Sequence, residues 1–95
     1  MLIVSQDYKG THEVQKRIVN FDNIQYLMID IMVSGEALII FKDNTMKEEN
    51  LKKCNCILGI YKTKERAREV LYEIIEKYRA ICEDTYFIVY EMPEE

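Results

Sequence analysis

The chain has 95 residues, 48% of them apolar and 32% charged, with a formal net charge of −4. That length makes one domain over residues 1–95, with room for one modest core. The composition excludes a disordered chain, and the acidic balance argues against generic nucleic-acid binding, where phosphate neutralisation dominates. The three cysteines are odd in number and suit a reducing cytoplasm better than a disulfide scaffold. No apolar run reaches bilayer length. Leu2-Ile3-Val4 passes directly into Ser5-Gln6-Asp7, so no targeting segment is expected.

In chain order, residues 2–5 read as a short strand. Residues 6–15 are polar, carry Gly10, and read as a loop or an extended hairpin tip. A second short strand follows over 17–21, and Asn20, Asp22 and Asn23 form a turn cluster. The longest strand is predicted over 24–33 and its return over 36–42. Ser34-Gly35 marks the tight turn of an antiparallel hairpin. Residues 43–53 are charged and aperiodic and read as a loop, or a loop with one helical turn. Residues 55–61 form a strand in which Gly59 marks a bulge or a close backbone approach. A helix runs from Thr63 to about Cys82, Glu83-Asp84 ends it, and 86–91 is the last strand. The expected fold is α+β. It is a mostly antiparallel sheet of about five strands with one helix on one face, in ββββαβ order.

The helix is the strongest signal. Thr63 is its N-cap, a hydroxyl placed to accept from a free amide of the first turn. Ala67, Val70, Leu71, Ile74, Ile75 and Tyr78 recur at helical spacing and make one apolar stripe. Glu73–Lys77 and Glu76–Arg79 are spaced to pair on the outer face.

One helix about 10 Å wide covers part of one face of a five-stranded sheet, and cannot cover both. Both faces of the long strand and of the last strand are nevertheless apolar or aromatic. A sheet open to water on one side alternates more cleanly. A Tyr/Met/Ile-rich face is therefore expected to lack cover within one copy, and such faces mark protein contacts. Tyr26, Met28, Met32, Tyr86 and Tyr90 are the candidate interaction residues. A two-fold homodimer or another protein partner would cover them. The alternative is a sheet that curls on itself, making both faces interior.

Other constellations are weaker. Cys54 and Cys56 share one side of a strand, but only Cys82 and His12 are left to complete a zinc site, so no metal is expected. His12 has no companion acid or nucleophile in sequence, and no catalytic set is legible. No enzyme activity and no cofactor are therefore expected. Lys62, Lys64, Arg66 and Arg68 crowd the helix start, where cations oppose the helix dipole and free amides favour anions. That cluster is the candidate site for a small anion or nucleotide. Its plain alternative is a solvated basic face balanced by Glu65 and Glu69.

Three stretches carry a resemblance: Ile18-Val19-Asn20-Phe21-Asp22-Asn23; Leu58-Gly59-Ile60-Tyr61-Lys62-Thr63-Lys64-Glu65-Arg66-Ala67, running into Val70-Leu71; and Tyr90-Glu91-Met92-Pro93-Glu94-Glu95. Together they resemble a group of short uncharacterised proteins of Gram-positive bacteria (Firmicutes) and their phages, with residues 9–16 as an insertion. The resemblance implies a bacterial or phage cytoplasm and supplies no functional residues. Small phage proteins of this kind often inhibit a host protein or sequester a signal, an analogy independent of fold. The expectation is thus a non-enzymatic domain that self-associates or binds a protein. A small-anion binder or phage-encoded anti-defence inhibitor using the basic helix start is the alternative.

Overall fold

Period-two alternation and one helical stripe resolve, in the computed structural model, into short strands around a single helix. The structure describes residues 1–9, 13–14, 16–44, 56–83 and 89–95. Its elements are β1 (Leu2–Val4), β2 (Tyr8–Lys9), β3 (Glu13–Val14), β4 (Ile18–Asn20), a 3-10 turn (Phe21–Asn23), β5 (Ile24–Ile31), β6 (Ala37–Asp43), β7 (Ile57–Tyr61), α1 (Lys64–Glu83) and β8 (Val89–Glu91).

The α+β class stands, but the single five-stranded sheet does not. The strands divide into a three-stranded sheet in the order β4-β1-β8, another in the order β5-β6-β7, and the β2–β3 hairpin. The division falls at the Asn20–Asn23 cluster. The Asn20 side chain accepts from the Asp22 amide at 3.0 Å and caps the 3-10 turn, which separates β4 from β5. β8 lies parallel to β1, with Ile3 opposite Tyr90, while β4 runs antiparallel to it on the other side.

The β5–β6 hairpin closes through a three-residue loop, Val33-Ser34-Gly35. The Met32 amide donates to Glu36 O at 2.8 Å and the Gly35 amide to Met32 O at 2.9 Å. Gly35 sits at φ +91°, a conformation open to a residue without a Cβ. β6 is the central strand, with β7 antiparallel on its far side and a bulge between Ile39 and Ile40. Gly59, opposite Ile39, sits at a close approach of side chains. A Cβ there would lie 3.0 Å from the Tyr61 ring and 3.1 Å from the Gln6 amide carbon.

Thr63 caps α1 as its sequence predicts: Oγ1 accepts from the Arg66 amide at 3.1 Å. Ala67, Val70 and Ile74 are fully buried, whereas Ile75 and Tyr78 remain over a third exposed, so the buried stripe is narrower than the apolar one. Glu76 and Arg79 pair at 3.2 Å. Glu73 instead accepts from the Tyr90 hydroxyl at 2.6 Å.

The helix stripe joins Ala37, Ile39 and Phe41 of β6, Leu58 and Tyr61 of β7, Ile3 of β1 and Tyr90 of β8 in one core, flanked by Met1 and Met92. Both three-stranded sheets therefore share it. Leu38, Ile40, Cys56, Ile57 and Ile60 form a second buried cluster on the opposite face of β6 and β7, with Met32 packed against it. The expectation of a bare second face thus fails for β6 and β7, strands that are buried on both sides. It survives along β5.

Candidate interaction edge and the cleft at the helix start

The two outer edges of the β5-β6-β7 sheet differ. On the β7 side, Gln6 acts as a substitute strand. Its amide donates to Leu58 O at 2.9 Å. Its side-chain Oε1 accepts from the Ile60 amide at 2.7 Å, and its Nε2 lies 3.3 Å from Ile60 O. The same Nε2 donates to Pro93 O at 2.6 Å and reaches Glu94 O at 3.2 Å. The tail beyond β8 is further held by the Tyr61 hydroxyl donating to Pro93 O at 2.8 Å, and by the Met92 amide on Val4 O at 2.9 Å. Arg17 adds a tie between the sheets: its guanidinium reaches Ile57 O at 3.4 Å and lies over the Phe41 ring. The β7 edge is closed.

On the β5 side no such closure exists among the described residues, for β5 ends the strand order. Antiparallel ladders alternate bonded and non-bonded pairs. Met32 bonds to Glu36, so the bonded set on β5 is Tyr26, Met28 and Asp30. The amides and carbonyls of Leu27, Ile29 and Ile31 then face outward. The side chains along this edge are apolar on both faces. Tyr26 is 37% and Met28 39% exposed beside the second cluster; Ile31 is 46% exposed on the helix side, where Leu27 and Ile29 are half-buried. The helix flanks that side with Ile75 and Tyr78, and the Tyr78 ring packs tilted against Phe21 at 4.8 Å between ring centres. Asp30 is the single charge on β5, and the strand carries neither Pro nor Lys, the usual guards of an edge.

Of the sequence-predicted contact residues, the structure brings together Tyr26 and Met28, with Met32 half-buried against the second cluster. Tyr90 is corrected. Pairing with Ile3 turns it inward, it is buried, and its neighbour Val89 takes the exposed side. Tyr86 lies outside the described residues, as do His12 and Cys54.

The four cations of the helix start do not converge. Lys62 and Arg66 line a cleft of 430 Å³ with Gln6, Asp7, Glu36, Ile60, Tyr61, Glu94 and Glu95. Lys64 and Arg68 are exposed and do not line it. Arg66 is already engaged, with Nε on Glu95 O at 2.9 Å and a terminal nitrogen on Glu69 at 3.1 Å. Two cations among four carboxylates make the cleft acidic on balance. Sequence reasoning missed Gln6, Tyr61 and the tail, whose roles appear only when residues 32 to 88 positions apart are brought together. Among the described residues no cluster of His, Cys, Asp or Glu fits a metal ion, and no helix is long and apolar enough to cross a membrane.

Two buried phenols give the fold an alkaline limit. Burial pushes the Tyr61 hydroxyl far above its usual 10.0, and burial, then the Glu73 carboxylate, does the same to Tyr90. The folded chain therefore holds these protons to higher pH than the unfolded chain. The stabilisation is complete below about pH 10 and is lost as pH rises beyond it, by up to about 1.4 kcal/mol per unit for each phenol. Melting temperature is expected to be flat from about pH 8 to 9 and to fall steeply above 10, with Tyr90→Phe reducing the slope. An equal slope in that variant would assign the alkaline transition elsewhere.

The fold and its edges define a class: a small two-sheet α+β domain with one guarded and one open sheet edge. No family model, no curated protein and no solved structure matches the chain.

Proposed function

We propose that this chain is a non-enzymatic protein-interaction domain of a bacterial or phage cytoplasm, and that its working surface is the outer edge of β5. The observation that carries the reading is the contrast between the two edges of one sheet. Gln6 occupies the outward amide and carbonyls of β7. The outward groups of β5 have no described partner and are bordered by half-exposed apolar side chains on both faces. An extended segment added there gains main-chain hydrogen bonds, with side-chain contacts above and below.

Ile31→Pro tests the edge itself. Ile31 is nearly half exposed and its amide faces outward, so proline removes a docking donor without breaking the β5–β6 ladder. Native mass spectrometry of the wild-type chain, alone and after incubation with extract of the source cell, is expected to show one stoichiometric protein added, a second copy included. The Ile31→Pro chain is expected to lose it. A complex that persists unchanged in Ile31→Pro overturns the edge as the working surface.

The small-anion alternative, including an anti-defence inhibitor that sequesters an anionic signal, has less support. Only Lys62 and Arg66 share a cleft, and carboxylates outnumber them there. Phosphate or a nucleotide that raised the melting temperature would favour it over the edge.

A further inference from the structure

We infer that the occupant of the β5 edge is a second copy of this chain, paired antiparallel about a two-fold axis at Met28. The inference rests on the edge reading above and adds the partner and the register.

The backbone limits the choices first. Along the regular register, Leu27, Ile29 and Ile31 offer outward groups, so each bonded pair joins two odd-numbered residues. Opposed residues then share a face, the axis stands perpendicular to the sheet, and both helices lie on the same side. The product is a continuous six-stranded sheet, β7-β6-β5 followed by β5-β6-β7 of the second copy.

Charge and length then select the centre. About Met28, the regular residues 26–30 all pair: Leu27 faces Ile29 of the second copy, Met28 faces Met28, and Asp30 faces Tyr26, whose hydroxyl can donate to the carboxylate. A centre at Asp30 sets two carboxylates against each other, which like-charge pairing disfavours. A centre at Ile29 sets Asp30 against Met28, where the carboxylate has no donor. A centre at Leu27 sets Asp30 against Ile24, at the irregular end of β5 where the β6 register shifts. The Met28 register alone gives the single charge of the strand a polar opposite.

The area is consistent with a reversible dimer. Five paired residues span about 17 Å. A contact limited to Tyr26, Met28, Ile31 and the Ile75–Tyr78 flank is smaller than the standard interface of about 800 Å² per partner. Micromolar rather than nanomolar association is expected.

Light scattering and sedimentation over a concentration series test the proposal. The wild-type chain is expected to move from 11.4 kDa to twice that mass across the micromolar range. Met28→Lys places two ammonium groups opposite each other and is expected to weaken the dimer roughly tenfold or more. Tyr26→Lys places a lysine opposite Asp30 of the second copy and is expected to keep the dimer or tighten it. Both positions are over a third exposed, and a circular-dichroism melt checks that each variant is folded. Equal weakening by both lysines overturns the Met28 register. A wild-type chain that stays at 11.4 kDa up to about 1 mM overturns self-association. In that case the edge reading stands or falls separately, on whether Ile31→Pro releases a different protein.

Discussion

Ile74→Asp is expected to abolish the folded state. Ile74 is fully buried on the helix stripe, in the core that both three-stranded sheets share. Removing its side chain costs about 2–5 kcal/mol in lost burial and cavity. Placing a carboxylate there without a cation adds several kcal/mol more. A domain of this length has a net stability of roughly 5–14 kcal/mol, so the sum consumes most or all of it. Far-UV circular dichroism is the measurement: the variant should show no cooperative melt. Ile75→Asp, one position along and over a third exposed, should remain folded with a modest loss. An Ile74→Asp chain that melted like its parent would remove Ile74 from the core.

Gln6→Leu is expected to be the most damaging substitution of an uncharged polar side chain among the described residues. Leucine is similar in size, so little volume is lost, but the change strips the Gln6 partner from the Ile60 amide and the Ile60 carbonyl at once, while Pro93 O keeps the Tyr61 hydroxyl. Each buried group left unsatisfied costs about 1–3 kcal/mol, giving a total of roughly 2–6 kcal/mol for the two. The loss has an address as well as a size. Hydrogen exchange should rise first at Ile60, before the helix interior opens. Gln6→Glu should keep the bond from the Ile60 amide while setting a carboxylate against the carbonyls of Pro93 and Glu94, and should also free the tail. A Gln6→Leu chain with parental melting temperature would show that the amide merely fills space.

What the sequence disclosed was local. The Thr63 cap, the helix and the Ser34-Gly35 turn each follow from residues within a few positions of one another, whereas Gly59 signalled a close approach without naming Gln6 as part of it. The partition into two sheets did not follow, because it depends on β1 choosing β4 and β8, partners about 15 and 87 positions away. Alternation in the last strand offered two faces without saying which turns inward, and the Ile3–Tyr90 register decided against an exposed Tyr90. The candidate edge was half legible. Tyr26 and Met28 were identified from a two-sided apolar strand, but its position at the end of the sheet is a property of topology. Gln6 carried no signal at all: a glutamine after a short apolar run is ordinary until the tail and β7 arrive beside it.

The parallel pairing of β1 with β8 has a kinetic consequence. It encloses nearly the whole chain between two short strands, so the pair must form late and against a large loop-closure entropy. During synthesis, Ile3 and the buried face of α1 have to wait for Tyr90 and Met92 to clear the ribosome before their core is complete. Until then the growing polypeptide exposes adhesive strands, and Tyr90 and Met92 act as the latch that ends that vulnerable interval.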